Sequence, residues 1–192
     1  ITTWFGRAEG NRIEQRHAIR LPHSLGFFYS AVTSYLGFKP WGGEGKVMGL
    51  APYGDPERFY APMRKLIDWG DGSRLRLDLK YFDFHVTGWN RWISPAFEEV
   101  FGPRRVPESE MTRHYEDVAA ALQRVTEEVA LAQVRHLHRI APSKNLCLAG
   151  GVALNCVANG KLLREGLFED LFVQPAAGDA GGAVGAALAY HY

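Results

Sequence analysis

The chain has 192 residues, enough to bury one sizeable core or two small ones. Hydrophobic residues make up 46% and charged residues 22%, the balance of an ordinary globular domain. Lys plus Arg number 22 against 21 Asp plus Glu, and this net charge of +1 excludes the electrostatic footprint of a nucleic-acid or anionic-membrane binder.

No apolar run approaches the roughly 20 residues of a membrane helix, and the start, Ile1-Thr2-Thr3-Trp4-Phe5-Gly6, reads as a strand and not as a signal segment. A first residue other than Met leads us to expect a piece of a longer chain. Residues 1–9 and 12–20 read as two strands around a Glu9-Gly10-Asn11 hairpin turn. His23–Gly37 reads as a helix, with Leu25, Phe28, Val32, Tyr35 and Leu36 at helical spacing. Phe38–Gly54 holds glycines, prolines and the charged residues Glu44 and Lys46, and reads as a loop with a short helix. Pro56–Trp69 is expected as a helix, Arg74–Leu79 and Phe82–Thr87 as strands, Pro95–Phe101 as a short helix and Gly102–Glu110 as a surface loop whose Arg104-Arg105 pair is solvated. Thr112–Ile140 is the longest expected helix, with Val118, Leu122, Val125, Val129 and Ala132 on one stripe. The last fifty or so residues give strand, Gly-rich turn and helix twice: Asn145–Leu148 then Val152–Arg164, and Leu171–Gln174 then Gly182–Tyr190. No linker isolates residues 55–110, so they read as an α+β insertion into an α/β core. Cys147 and Cys156 are expected as buried free thiols, from which cytoplasmic residence follows.

The two Gly-rich turns, Ala149–Asn155 and Ala177–Gly185, carry the chemistry. Glycines let a backbone approach a phosphate or nucleoside closely, and the helix starts add free N–H groups. Gly150, Gly151 and Asn155 are therefore candidates to grip a nucleotide, with Gly178, Gly181 and Gly182 serving similarly and Gly185 allowing close helix packing; the other reading is a tight strand-to-helix turn in which Asn155 satisfies local backbone. Asp179, the one charged side chain of the second turn, is a candidate metal ligand, since iron(II) accepts an Asp oxygen beside imidazoles; alternatively it caps the following helix. Glu44 can accept from ribose hydroxyls and Lys46 can neutralise a phosphate or carbonyl oxygen, unless the two form a surface ion pair. His23 near the first helix start is a candidate to line the cleft, whereas His136 and His138, two apart, point to different helix faces. Trp41, Trp69, Trp89 and Trp92 read as packing residues; Trp89, Trp92 and Arg91 bordering an acceptor pocket is the alternative, because aromatics suit sugar faces.

Gly42-Gly43-Glu44-Gly45-Lys46-Val47-Met48-Gly49-Leu50-Ala51-Pro52-Tyr53-Gly54 resembles a motif of the O-carbamoyltransferases that decorate antibiotics and nodulation factors. Leu148–Asn155, Pro175–Ala187 and the upstream Pro22–Gly26 match that family's other segments in order. The resemblance implies an actin-like, ribonuclease H-like ATPase fold, similar to tRNA threonylcarbamoyl transferases: a mixed sheet flanked by helices, with this chain as the second lobe of the catalytic domain. It implies that a first lobe with a His-x-x-x-His metal motif and a carbamoyl-adenylate-forming domain belong to the same parent chain; none of the seven histidines here has a partner four residues on. It further implies carbamoyl phosphate and ATP as substrates, carbamoyl-adenylate as donor, AMP as product, a divalent metal, Fe(II), at Asp179, and a small-molecule hydroxyl acceptor. Catalytic roles fall to Glu44 and Lys46, and adenylate binding to Glu44, Gly150, Gly151, Asn155, Gly178 and Gly181. Alternatives are a kinase or ATPase of the same superfamily, a threonylcarbamoyl or hydrogenase-maturation type transferase, and a non-catalytic nucleotide-binding scaffold. Transfer to tRNA is disfavoured by the near-neutral charge.

Overall fold

A computed structural model describes residues 1–191. The chain opens with the antiparallel hairpin β1 (Thr3–Glu9) and β2 (Arg12–Ile19), turned by Gly10 at φ 55°. Only Phe5 and Ile19, at the base of the ribbon, are buried, so the hairpin projects from the body. Helix α1 (Leu25–Tyr35) begins two residues later than its apolar spacing suggests, because Ser24 serves as cap: its Oγ accepts from the Phe27 N–H at 3.2 Å. Phe28, Val32, Tyr35 and Leu36 are fully buried and make α1 the central helix. Short helices α2 (Glu44–Leu50) and α3 (Glu57–Lys65) follow, separated by a 3₁₀ turn at Ala51–Tyr53.

The expected helix Pro56–Trp69 stops at Lys65. Leu66 and Ile67 are both buried, and the chain extends into β3 (Ile67–Asp68), paired with β4 (Arg76–Leu77), so this tertiary pairing ends the helix. The expected strand Phe82–Thr87 is also corrected: Phe82 makes a single bridge to Ile93, and the chain then coils into α4 (Phe84–Thr87). The Asp83 carbonyl drives this coil by accepting from both the N–H and the hydroxyl of Thr87, at 2.9 and 3.0 Å. Helix α5 (Pro95–Phe101) places Phe97 and Phe101 in the core.

Arg105 does not lie in a solvated loop. It is buried, its Nη1 donates to the Leu36 carbonyl at 3.2 Å, its Nη2 donates to the Ser109 carbonyl, and its own N–H donates to the Tyr35 carbonyl at 2.9 Å. The physical cause is the C-terminus of α1, whose last carbonyls lack helical donors and take these instead.

The longest helix, α6 (Arg113–Ile140), buries Val118, Leu122, Val125 and Val129 of the expected stripe, while Ala132 is only half-buried against the same cluster. Its buried Asp117 is met by Arg58 at 3.1 Å, Arg113 at 3.0 Å and the Asp55 N–H at 2.7 Å. One apolar cluster joins Phe28 and Tyr35 of α1 to Phe59, Met63, Phe82 and Phe97 and to the α6 stripe, so residues 55–110 share their core with the helices that flank them.

The chain then forms β5 (Asn145–Leu148), α7 (Cys156–Arg164), β6 (Asp170–Val173) and α8 (Gly181–His191), with β5 and β6 parallel, Asn145 opposite Asp170 and Leu148 opposite Val173. The architecture is α/β, but among the described residues the strands form three separate two-stranded ribbons and not one mixed sheet. Cys147 and Cys156 are free, as expected, but exposed and not buried. Leu146 fills the covered face of β5, and its neighbour Cys147 takes the open one. None of the described residues of α8 is buried, despite its apolar composition. Of the tryptophans expected in packing roles, Trp69 and Trp92 are buried, whereas Trp41 and Trp89 are exposed. No helix of the described residues is long and apolar enough to cross a membrane.

Candidate functional site

Because β5 and β6 are parallel neighbours, both Gly-rich turns leave the same edge, the C-terminal edge at which open α/β sheets bind ligands. After Leu148 the chain passes through Gly150 at φ 98° and ψ 164°, a conformation open to glycine, into a 3₁₀ turn at Gly151–Leu154. The Gly150 N–H donates to the Ala177 carbonyl at 2.6 Å, so the first turn is fastened to the second. Gly178 faces the Leu154 side chain, and an added Cβ there would lie 3.9 Å from it. A Cβ added to Gly150 or Gly151 would meet nothing within 4 Å. Gly181 differs: its N–H donates to the Gly178 carbonyl at 3.0 Å, and a Cβ would stand 2.4 Å from the Ala176 carbonyl oxygen, so its lack of a side chain serves turn closure.

Asn155 is turned away from this edge. Its Oδ1 accepts from the Ala158 N–H at 3.0 Å, capping α7, and from Gln123 Nε2 at 3.1 Å, while its Nδ2 donates to Gln123 Oε1 at 2.9 Å. Gln123 Nε2 also donates to Glu127 Oε1 at 2.9 Å, Tyr29 donates its hydroxyl to Gln123 Oε1 at 3.1 Å, and Lys161 pairs with Glu127. This buried network joins α1, α6 and α7 directly behind the first turn. Sequence reading missed Gln123 and Glu127, although two polar residues four apart among the apolar positions of α6 were the available signal. Burial, then the Glu44 and Glu127 carboxylates, push the Tyr29 phenol well above its ordinary range, so it acts as a fixed donor. Asn155→Ala removes the α7 cap and leaves the Gln123 amide short of partners; the expected cost is about 2 kcal/mol, a fall of about 4–8 °C in melting temperature, read by calorimetry.

Glu44 stands at the start of α2, half-buried, its Oε1 accepting from Ser30 Oγ at 2.6 Å and from the Trp41 N–H at 2.8 Å. Lys46 is exposed, with Nζ 5.9 Å from the centre of the Phe38 ring. The two side chains thus face different neighbours. The segment meets the first turn at its far end, where Met48 Sδ lies 3.9 Å from Cys156 Sγ. Gly26 of α1 completes the join, since a Cβ there would be 3.5 Å from Val152. The structure therefore gathers Gly150, Gly151, Gly178 and the α2 segment around one region, with Asn155 and Gln123 bracing it from behind.

Asp179 is exposed in the second turn, two residues beyond the carbonyl that holds Gly150, and its own carbonyl accepts from the Gly182 N–H at 3.1 Å. Among the described residues no three His, Cys, Asp or Glu side chains gather to hold a metal ion. His23 is tied to β4: its Nδ1 accepts from the Leu77 N–H at 3.1 Å, and burial, then Arg76, hold its pKa below the usual histidine value.

A family model described as the carbamoyltransferase N-terminus matches residues 2–188. A Synechocystis protein, sll1178, is 49% identical over 188 residues, 97% of this chain and 30% of its own length. Nodulation protein NolO of Bradyrhizobium diazoefficiens is 45% identical over 171 residues, covering 86% of this chain and 28% of its own. Nodulation protein NolNO of Sinorhizobium fredii is 42% identical over 192 residues, covering 94% and 25% respectively. The chain thus spans less than a third of the length of these relatives. On the extent of the family match and these identities, the chain belongs to the carbamoyltransferase family.

Proposed function

We propose that this chain is part of an O-carbamoyltransferase and forms the adenylate-binding face on which a carbamoyl group passes from carbamoyl-adenylate to the hydroxyl of a small acceptor. The observation that carries the reading is the pair of Gly-rich turns on one sheet edge, joined from the Gly150 N–H to the Ala177 carbonyl and leaving open space over Gly150 and Gly151. We place the adenylate phosphate and ribose against Gly150, Gly151 and Gly178, where no side chain keeps the main chain from the ligand. In the wider fold this edge corresponds to the second lobe of an actin-like ATPase, with the first lobe and the activating domain supplied by other parts of the parent chain.

The reaction is an acyl substitution. The acceptor oxygen bonds to the carbamoyl carbon, the bond from that carbon to the phosphate oxygen breaks, AMP departs with both electrons of that bond, and the hydroxyl proton passes to solvent. The donor itself is made from carbamoyl phosphate and ATP. Lys46, whose side chain is exposed, supplies a positive charge to the phosphate or carbonyl oxygen in this reading. Glu44, fixed by Ser30 and the Trp41 N–H, orients the ribose or the acceptor hydroxyl. Asp179 would offer one carboxylate oxygen to a divalent metal, Fe(II) in this reading, and that metal would act as a Lewis acid on the carbonyl or the departing phosphate.

The test uses the full-length protein with carbamoyl phosphate, ATP and a hydroxylated acceptor. Asp179→Ala is expected to lower bound metal, read by elemental mass spectrometry, and to reduce carbamoyl transfer at least about a hundredfold while carbamoyl-adenylate still forms. Unchanged metal content in that variant would remove Asp179 as a ligand, and absence of any carbamoylated product from the parent protein would remove the reaction.

A further inference from the structure

Two consecutive residues at the middle of α1, Tyr29 and Ser30, reach the two halves of the proposed adenylate site. Both are buried, at 6% and 4% exposure. Adjacent positions on a helix point about 100° apart, so the pair addresses different neighbours. Ser30 turns to α2, where its Oγ donates to Glu44 Oε1 at 2.6 Å. Tyr29 turns to α6, where its hydroxyl donates to Gln123 Oε1 at 3.1 Å. Gln123 carries the link on to Asn155, whose own N–H donates to the Val152 carbonyl of the first Gly-rich turn at 3.0 Å. Gly26, one helical turn before Ser30, brings the α1 backbone against Val152 of that same turn.

Each link has one permitted direction. The Glu127 carboxylate, paired with Lys161, can only accept, so it fixes Gln123 with Nε2 toward it at 2.9 Å. Gln123 Oε1 is thereby turned to Tyr29 and to Asn155 Nδ2. The Ala158 N–H fixes Asn155 in the same way, with Oδ1 toward α7 at 3.0 Å. Tyr29 stays a donor, because burial, then Glu44 and Glu127, keep its phenol protonated. Ser30 also departs from the habit of hydroxyls inside helices. Thr33 follows that habit and donates to the Tyr29 carbonyl at 2.9 Å, whereas Ser30 reaches across to α2. A phenylalanine and an alanine would fill these two positions without placing hydroxyls in the core, so the hydroxyls serve the groups they hold.

We propose that Tyr29 and Ser30 are positioning residues: by tying Glu44 and the first Gly-rich turn to one rigid helix, they set the spacing at which the Glu44 carboxylate meets the ribose of an adenylate whose phosphate lies over Gly150 and Gly151. This role rests on the adenylate reading and names what keeps its two halves in register. Neither side chain touches the nucleotide; Ser30 acts through Glu44, and Tyr29 acts through Gln123 and Asn155.

The experiment measures AMP binding to the full-length protein by calorimetry. Its variants are Tyr29→Phe, Ser30→Ala and Glu44→Ala, and each of the first two combined with the third. Tyr29→Phe and Ser30→Ala are each expected to weaken AMP at least about fivefold. In the Glu44→Ala background each is expected to add less than about twofold, because spacing to an absent carboxylate carries no weight. Tyr29 and Glu44 share no hydrogen bond among those of the described residues, so this coupling is one that a merely structural role would not produce. Tyr29→Phe keeps the test sound if Ser30→Ala fails to fold. The same loss in both backgrounds, or AMP affinity within about twofold of the parent in any of the three single variants, would overturn the role. A parent protein that binds no AMP would remove the adenylate reading together with this role, whereas parent binding with additive variants would remove this role alone.

Discussion

Gly151→Val is expected to leave the fold intact and to weaken AMP binding at least about tenfold, which corresponds to about 1.4 kcal/mol. The two halves of this result come from the same geometry. Gly151 opens the 3₁₀ turn without a positive φ, and an added Cβ there meets no protein atom within 4 Å. A valine is thus accommodated by the protein, and its methyl groups occupy the space assigned to the adenylate. The melting temperature should move by no more than about 2 °C, because nothing in the core is touched. Calorimetry with AMP on the full-length variant measures the affinity, and unaltered affinity in a folded variant would remove the first turn from the binding site.

Gly54→Ala is expected to do the opposite: to destabilise by about 3 kcal/mol or more and lower the melting temperature by about 6–12 °C. Gly54 closes the family-like motif that begins at Gly42. In the structure it lies against the backbone of α6. An added Cβ would stand 2.0 Å from the Glu116 carbonyl oxygen and 2.7 Å from the Asp117 nitrogen. Neither atom can withdraw without opening a helix whose buried face carries the core. Asp117 accepts from the Asp55 N–H and pairs with Arg58 and Arg113, so the displacement would also strain a buried carboxylate and its partners. A variant that melts within about 2 °C of the parent would show that this contact carries little of the stability.

These two glycines show what the sequence could convey. The turns at Ala149–Asn155 and Ala177–Gly185 were readable because an apolar strand, paired glycines and a helical stretch in that order are a local pattern. The hairpin at Gly10 and the stripe of α6 were readable for the same reason. What escaped depends on partners distant in the chain. Arg105 looked solvated beside Arg104, and only the end of α1, some seventy positions earlier, explains its burial. Asn155 looked suited to a ribose, and only Gln123, 32 positions away, accounts for its orientation. The early end of α3 was set by Ile67 pairing with Leu77, a tertiary event that overrides a continuous helical signal. Trp41 and Trp89 read mainly as packing residues, since residue type reports size and not exposure.

The bond between the Gly150 N–H and the Ala177 carbonyl has a consequence for how this protein can vary. The two loops are no longer free to drift separately: a residue inserted between Val173 and Ala177 would carry the acceptor oxygen out of reach and release the bend at Gly150. Their lengths are a shared constraint, and a viable change in one calls for a matching change in the other.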